Sequence, residues 1–136
     1  MIKGKESKKI KIGVQGAKGA YHEVAADDYV KTSGIKNFEI VNCDVFETVF
    51  NKIKNDEIDL GVLAFENSLA GSIYKNFDLI NQYDFKIVGE VYVHIQHQLL
   101  GLKGAKLSDI KEVHSQWPAL DQVRHNLKKI VPNAKL

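Results

Sequence analysis

Over residues 11–15 the chain alternates polar and apolar side chains, K-I-G-V-Q, and this period of two predicts a first β-strand. The glycine-punctuated run 16–22, G-A-K-G-A-Y-H, then turns into a helix reaching about Lys31. After a loop over 32–37, F-E-I-V-N-C (Phe38–Cys43) reads as a second strand. Asp44 stands where an N-cap belongs, ahead of Val45, Phe46, Val49, Phe50 and Ile53 at helical spacing, and residues 55–57 close that helix. Residues 58–65 are short and mostly apolar, the pattern of a strand buried on both faces. Tyr74–Tyr83 predicts a helix carrying Phe77, Leu79 and Ile80. Residues 85–98 read as a long extended stretch, bent near Gly89. Ser108 is expected to cap a short turn through Ile110, and 111–114 to form a small strand. Trp117–Ile130 is then a helix with Leu120, Val123, Leu127 and Ile130 on one face.

Strands and helices thus alternate through most of the chain, an order that predicts an α/β architecture with a largely parallel sheet. Ligands of such sheets bind in loops at the carboxyl ends of the strands. Residues 16–22 and 66–72 occupy loops of this kind and are rich in small or polar groups, and 114–116 follow a later strand. Neither an internal repeat nor a low-complexity segment is present.

With 136 residues, 44% hydrophobic and 26% charged, the composition is that of a soluble globular protein of one domain or two small lobes. The 19 basic and 17 acidic side chains leave a net charge of +2, which gives no electrostatic argument for nucleic acid or a membrane surface. Lys3, Lys5, Lys8, Lys9 and Lys11 cluster near the start, and residues 1–9 read as a flexible, solvated lead-in. The positions that follow alternate instead of forming an apolar core, so no secretory signal is predicted and a cytoplasmic location is expected. The apolar run around 60–65 is too short to span a bilayer. Cys43 is the one cysteine, which precludes an internal disulfide or a cysteine metal cluster.

The stretch G-V-Q-G-A-K-G (13–19) spaces its glycines three apart and fits neither G-x-G-x-x-G nor G-x-x-x-x-G-K-[ST], so no nucleotide site is predicted. A turn that needs glycine for its backbone angles and a turn whose N–H groups hold an anion both fit this loop. His94 and His97 sit at an odd offset on an extended stretch and point to opposite faces. His22, His114 and His125 have no carboxylate or cysteine at ligand spacing, so no metal site is expected. Ser68, Ser72 and Ser115 lack the G-x-S-x-G elbow and suit binding better than nucleophilic attack. Glu66, Asn67 and Ser68 stand side by side after the buried run. Asn and Ser are ordinary turn residues, yet a carboxyl directly after a buried strand needs a partner. A plain turn and the polar floor of a pocket both fit.

Several motifs then fall in one order: Q-G-A-K-G-A-Y (15–21), E-V-A-A (23–26), E-N-S-L-A-G-S-I (66–73), N-F-D-L (76–79), I-V-G-E-V (87–91), H-Q-L-L-G (97–101) and V-H-S-Q-W-P-A-L-D-Q (113–122). As an ordered set spanning residue 11 to about 131, they make the chain resemble the catalytic domain of prephenate dehydratases and the closely similar plant arogenate dehydratases. The resemblance implies conversion of prephenate to phenylpyruvate with loss of water and carbon dioxide, without cofactor or metal. It implies two α/β lobes arranged like a type II periplasmic-binding protein, with the active site in the cleft between them, and a homodimer. By the same match Glu66 and Asn67 are the catalytic pair, while Gly19, Ala20, Tyr21, Ser68, Gly71, Ser115 and Gln122 bind substrate. Asn67 donates through its amide. Glu66 either orients neighbouring donors or, if burial raises its pKa, donates itself.

Some positions depart from the family pattern. His22 stands where Ser or Thr is common, Gln116 replaces the usual His after Ser115, Pro118 falls one place later, and Ala64 stands where Pro is usual. The family module continues into a Thr-Arg-Phe motif, whose threonine is a leading candidate for proton transfer to the leaving hydroxyl. That motif does not occur here, and the threonines are Thr32 and Thr48. The expectation is a truncated domain with little turnover of its own: a first lobe over 10–83 lacking its return segment, a second over 84–136, and no ACT regulatory domain. Two other readings stay open, an arogenate dehydratase and a non-catalytic small-anion-binding module of the same fold.

Overall fold

The structure, a computed structural model, describes residues 8–136. Residues 1–7, most of the expected lead-in, lie outside the described part. By the density of its contacts the chain divides into two compact units, one ending at His94 and interrupted by Ser68–Gly71, the other comprising Ser68–Gly71 and Ile95–Leu136.

The first unit is built on a parallel sheet of three strands, β1 (Ile10–Gln15), β2 (Phe38–Cys43) and β3 (Leu60–Val62), in the order β2-β1-β3. Helix α1 (Tyr21–Ser33) links β1 to β2, and α2 (Phe46–Lys54) links β2 to β3. Because β2 and β3 flank β1 on opposite sides, the two crossovers place their helices on opposite faces of the sheet. The period-two alternation sorts the side chains accordingly. Ile12 and Val14 of β1, with Phe38, Ile40, Leu60 and Val62, pack against Ala26 and Val30 of α1. Val41, Cys43 and Ile58 face the other way and pack with Val49 and Ile53 of α2. On that face β1 and β3 present Gly13 and Gly61, which are register partners. A Cβ at Gly61 would lie 2.7 Å from Val49 Cγ1, so glycine here lets α2 sit directly on the backbone.

Helix α3 (Tyr74–Tyr83) docks on α2 through aromatic rings. Fully buried Phe50 lies 5.3 Å from the Tyr83 ring and stacks on Phe85 at 5.9 Å, while Tyr83 donates its hydroxyl to Asn51 Oδ1 at 2.6 Å. Lys75 also pairs with Glu47 of α2 at 2.5 Å. At the opposite edge Lys8 pairs with Asp59, and Lys9 with Glu39 at 3.0 Å, so the end of the basic lead-in is tied to the sheet.

In the second unit, helix α4 (Trp117–Ile130) buries Leu120 and Leu127 with Val131 against Ile110, Val113, Val123 and Ala134. Pro118 lies in its first turn, where no N–H is required of it.

Several expectations are corrected. The helix after Asp44 is capped at Val45 without a side-chain bond, so Asp44 is not its N-cap. The strand expected over 58–65 shrinks to Leu60–Val62, because β1 offers partners only to those residues. The long extended stretch expected over 85–98 forms no strand and pairs with none among the described residues; Ile87, Val88 and Tyr92 on it are exposed, while Phe85, Val91 and Val93 are half-buried. The small strand at 111–114 reduces to a single parallel bridge, Glu112 with Lys135. The turn near Ser108 is a 3-10 turn, Leu107–Asp109, capped by the Asp109 carboxylate accepting from the Lys106 N–H at 3.0 Å.

Candidate functional site

The order β2-β1-β3 makes the carboxyl ends of β1 and β3 the point where the chain turns to opposite sides, the position where crevices form in open α/β sheets. Two loops emerge there. The first follows β1 and is locked to the end of β2. Gly16 donates its N–H to Cys43 O at 2.8 Å and accepts Asn42 Nδ2 at 2.9 Å, while Gln15 Nε2 reaches Asp44 O at 3.1 Å. Gly19 has φ +85°, a left-handed conformation that disfavours a side chain. Its N–H donates to the Glu23 carboxylate, and Ala20 N–H donates to Ala17 O at 3.0 Å. These two amides are therefore engaged inside the loop: a substrate anion at Gly19 has to compete with Glu23. Tyr21, at the start of α1, is exposed.

His22 opens the same helix. Its ring meets Phe46 edge-on at 5.6 Å, and burial lowers its pKa, opposed by a bond to the Gln15 backbone. Its Nε2 is buried without a partner among the described residues. At the end of β2, burial raises the pKa of the Cys43 thiol, which disfavours the nucleophilic thiolate.

The second loop follows β3. Residues 63–65 leave the sheet, and Glu66–Asn67 (β4) pairs with Gly71–Ser72 (β5) in a short hairpin, with Gly71 at φ +82°. Ser72 donates its hydroxyl to Glu66 Oε2 at 2.6 Å. The carboxyl thus has a partner across the hairpin, an arrangement that suits a plain turn and a pocket floor alike. Glu66 itself is exposed, and its carboxylate accepts the Ser72 hydroxyl. Asn67 is half-buried and makes interactions of its own.

Ser68, Ser115 and Gln122 belong to the second unit with the Gly71 turn. Gln122 lies on α4 and shares a hydrogen bond of 2.9 Å with His97 Nε2. Ser115 is exposed and precedes α4. His114 does have a carboxylate nearby, Glu112 at 3.1 Å, contrary to the reading from spacing. Neither threonine offers a proton donor at these loops: the Thr32 hydroxyl is spent on the Asp28 and Tyr29 carbonyls within α1, and Thr48 lies within α2.

The roles of three residues escaped the sequence reading. Ser72 suits binding, but its bond to Glu66, six residues away, arises only when the hairpin folds the chain back. Asn76 and His97 fall within the motifs 76–79 and 97–101, which assign them no role, and their bonds to Ala64 and Gln122 come from the fold.

A parallel sheet with helices on both faces and polar loops at its switch point defines an α/β protein. The family profile of prephenate dehydratase matches residues 12–136, and the chain belongs to that family. It is 40% identical over 125 residues to arogenate dehydratase 2 of Petunia hybrida, covering 92% of this chain and 30% of that protein. It is 37% identical over 122 residues to arogenate dehydratase/prephenate dehydratase 2, chloroplastic, of Arabidopsis thaliana, covering 90% of this chain and 31% of that one. The chain thus spans under a third of the length of these relatives. A solved structure titled GqqA, a novel type of quorum quenching acylases, superposes with a TM-score of 0.69 at 29% identity, covering 88% of this chain and 42% of that one.

Proposed function

We propose that this chain supplies substrate-binding machinery of a dehydratase that converts prephenate to phenylpyruvate, within two lobes arranged like a type II periplasmic-binding protein around a cleft. The observation that carries the reading is the Glu66–Ser72 hydrogen bond beside Asn67, at the switch point and inside the span matched by the family. In this reading Asn67 donates to a substrate carboxylate or to the ring hydroxyl, and Glu66 orients the neighbouring donors. Gly19, Ala20, Tyr21, Ser68, Gly71, Ser115 and Gln122 complete the binding set.

The reaction loses carbon dioxide from the ring carboxylate; the electron pair left behind enters the ring as the ring hydroxyl departs. That hydroxyl takes up one proton and leaves as water. A positioned proton donor contributes about 10²–10⁴-fold to such a step, and orientation of the dianion contributes much of the remainder. Arogenate, with an amine in place of the keto group, is the second reading, favoured by the names of the plant relatives. The proposal includes a cytoplasmic homodimer, tested by sedimentation and fractionation; the Arabidopsis relative is named as chloroplastic.

Calorimetric titration with prephenate and with arogenate tests the reading, together with phenylpyruvate formation followed by absorbance in alkali. Saturable prephenate binding that weakens about tenfold or more in Asn67→Ala is the expected result. Binding of neither acid overturns it.

A further inference from the structure

Asn76, in the first turn of α3, is a fully buried polar side chain. Its Nδ2 donates to the Ala64 carbonyl at 2.7 Å, while its Oδ1 is buried with no donor among the described residues. Rotating the amide does not help, because it would set oxygen against oxygen at Ala64. Serine at this position is too short to span the gap, and leucine has no donor. The unpartnered acceptor accompanies a donation that asparagine's shape supplies. Such a group in a native structure calls for an explanation.

Its place in the chain provides one. Residues 64 and 65 have left the sheet with no strand to hold them, and Glu66 is the residue at which β4 begins. Each of the three is held instead by the segment 72–77. Ala64 O accepts from Asn76, Phe65 O accepts the Ile73 N–H at 2.9 Å, and the Glu66 carboxylate accepts the Ser72 hydroxyl at 2.6 Å. The Phe65 ring also meets Phe77 edge-on at 4.9 Å. Asn76 N–H in turn donates to Ile73 O at 3.0 Å, so one residue ties the chain just before β4 to the chain just after β5. Of these side-chain donors only Asn76 is fully buried, and a hydrogen bond kept from water is the one that does not exchange with solvent.

We infer that Asn76 is a positioning residue for the Glu66–Asn67 pair: its buried amide pins the Ala64 carbonyl and thereby sets the direction in which β4 presents both side chains. The purpose rests on the prephenate reading; the positioning rests on the contacts alone.

Two readouts on the full chain separate them. In Asn76→Leu, amide hydrogen exchange at Ile73, whose N–H belongs to the brace, is expected to lose protection about tenfold more than at Val14 in the central strand. Prephenate affinity at pH 8 falls by a similar factor. Asn76→Asp serves as the rescue. Protonated at pH 5, its O–H donates where the amide did, and Ile73 protection approaches that of the unaltered protein; ionised at pH 8, protection is lost. Equal loss of protection at Ile73 and Val14, or an Asn76→Leu protein with unchanged prephenate affinity, overturns the inference. If the unaltered chain binds no prephenate, the functional reading fails while Ile73 protection still decides the positioning. If Asn76→Leu does not fold, the pH contrast in Asn76→Asp decides it.

Discussion

Replacing Gly61 with alanine drives a methyl group into the seam between α2 and the sheet. The new Cβ lies 2.7 Å from Val49 Cγ1 and 2.9 Å from Ile53 Cδ1, whereas apolar carbons rest about 3.5–4.0 Å apart. Val49 is fully buried, and its β-branched side chain has one strongly preferred rotamer on a helix, so it has nowhere to swing. The helix must retreat by roughly 1 Å to restore ordinary contact. Overpacking of this kind costs about 1–3 kcal/mol, offset by the ~0.5–1 kcal/mol that alanine gains over glycine within an element. A net loss of about 1–2 kcal/mol lowers Tm by about 3–10 °C in a chain of this size. Val49→Ala alone removes two methyl groups and leaves a void, a loss of about 2 kcal/mol. In the double variant the alanine methyl enters that void. The pair is then expected near about 2 kcal/mol, against about 3–4 kcal/mol for simple addition. Urea unfolding of the four proteins, followed by circular dichroism, measures the coupling. Additivity within about 0.5 kcal/mol would refute the account of a seam in which the Gly61 backbone carries the helix. The seam matters for the site because β3 runs from Gly61 directly into the loop that carries Glu66 and Asn67.

Two further predictions concern pH. The Lys11 N–H and then the Lys8 side chain hold the Asp59 carboxyl below its ordinary value, and lysines do the same for Glu39, Glu47 and Glu57. Depressed carboxyls contribute stability above their unfolded values of about 3.9–4.3 and lose it as pH falls through the folded ones. The urea midpoint should therefore drop below about pH 4, less steeply in Asp59→Asn; parallel acid limbs for the two proteins would contradict this. His22 has its pKa lowered by burial, so it stays neutral in the folded chain while the unfolded imidazole takes up a proton near pH ~6.5. Stability is full above that pH and declines as pH falls towards the folded pKa. Histidine NMR titration should place His22 below the ordinary imidazole value of about 6.5, and His22→Gln should remove the decline; a His22 that titrates at or above that value refutes the assignment.

The family's motifs brought Glu66 and Asn67 to notice, but the bond between Ser72 and Glu66 needed the hairpin. Spacing alone gives no reason to join residues six apart until a turn folds the chain back on itself. Asn76 was hidden for a related cause. An asparagine three residues into a helix looks like a solvated surface position, and only the departure of residues 63–65 from the sheet creates the carbonyl it serves. Nor does spacing show that Glu23 and Ala17 sit close enough to accept the Gly19 and Ala20 amides.

The helices Tyr74–Tyr83 and Trp117–Ile130 fall where the apolar spacing alone puts them, and the strand Phe38–Cys43 likewise. Helical hydrogen bonds join residues four apart, so the pattern that predicts a helix lies within the segment that forms it. Strand bonds join segments distant in sequence, and the extent of a strand belongs to its partner as much as to itself. Residues 58–65 have the composition of a full strand, yet only Leu60–Val62 meet β1 in register; residues 85–98 have it too and meet no strand of the described residues. Sequence by itself determined which segments are apolar and with what period. The tertiary structure decided which of them found a neighbour, and with that which polar side chains were left to hold the chain where no neighbour reached.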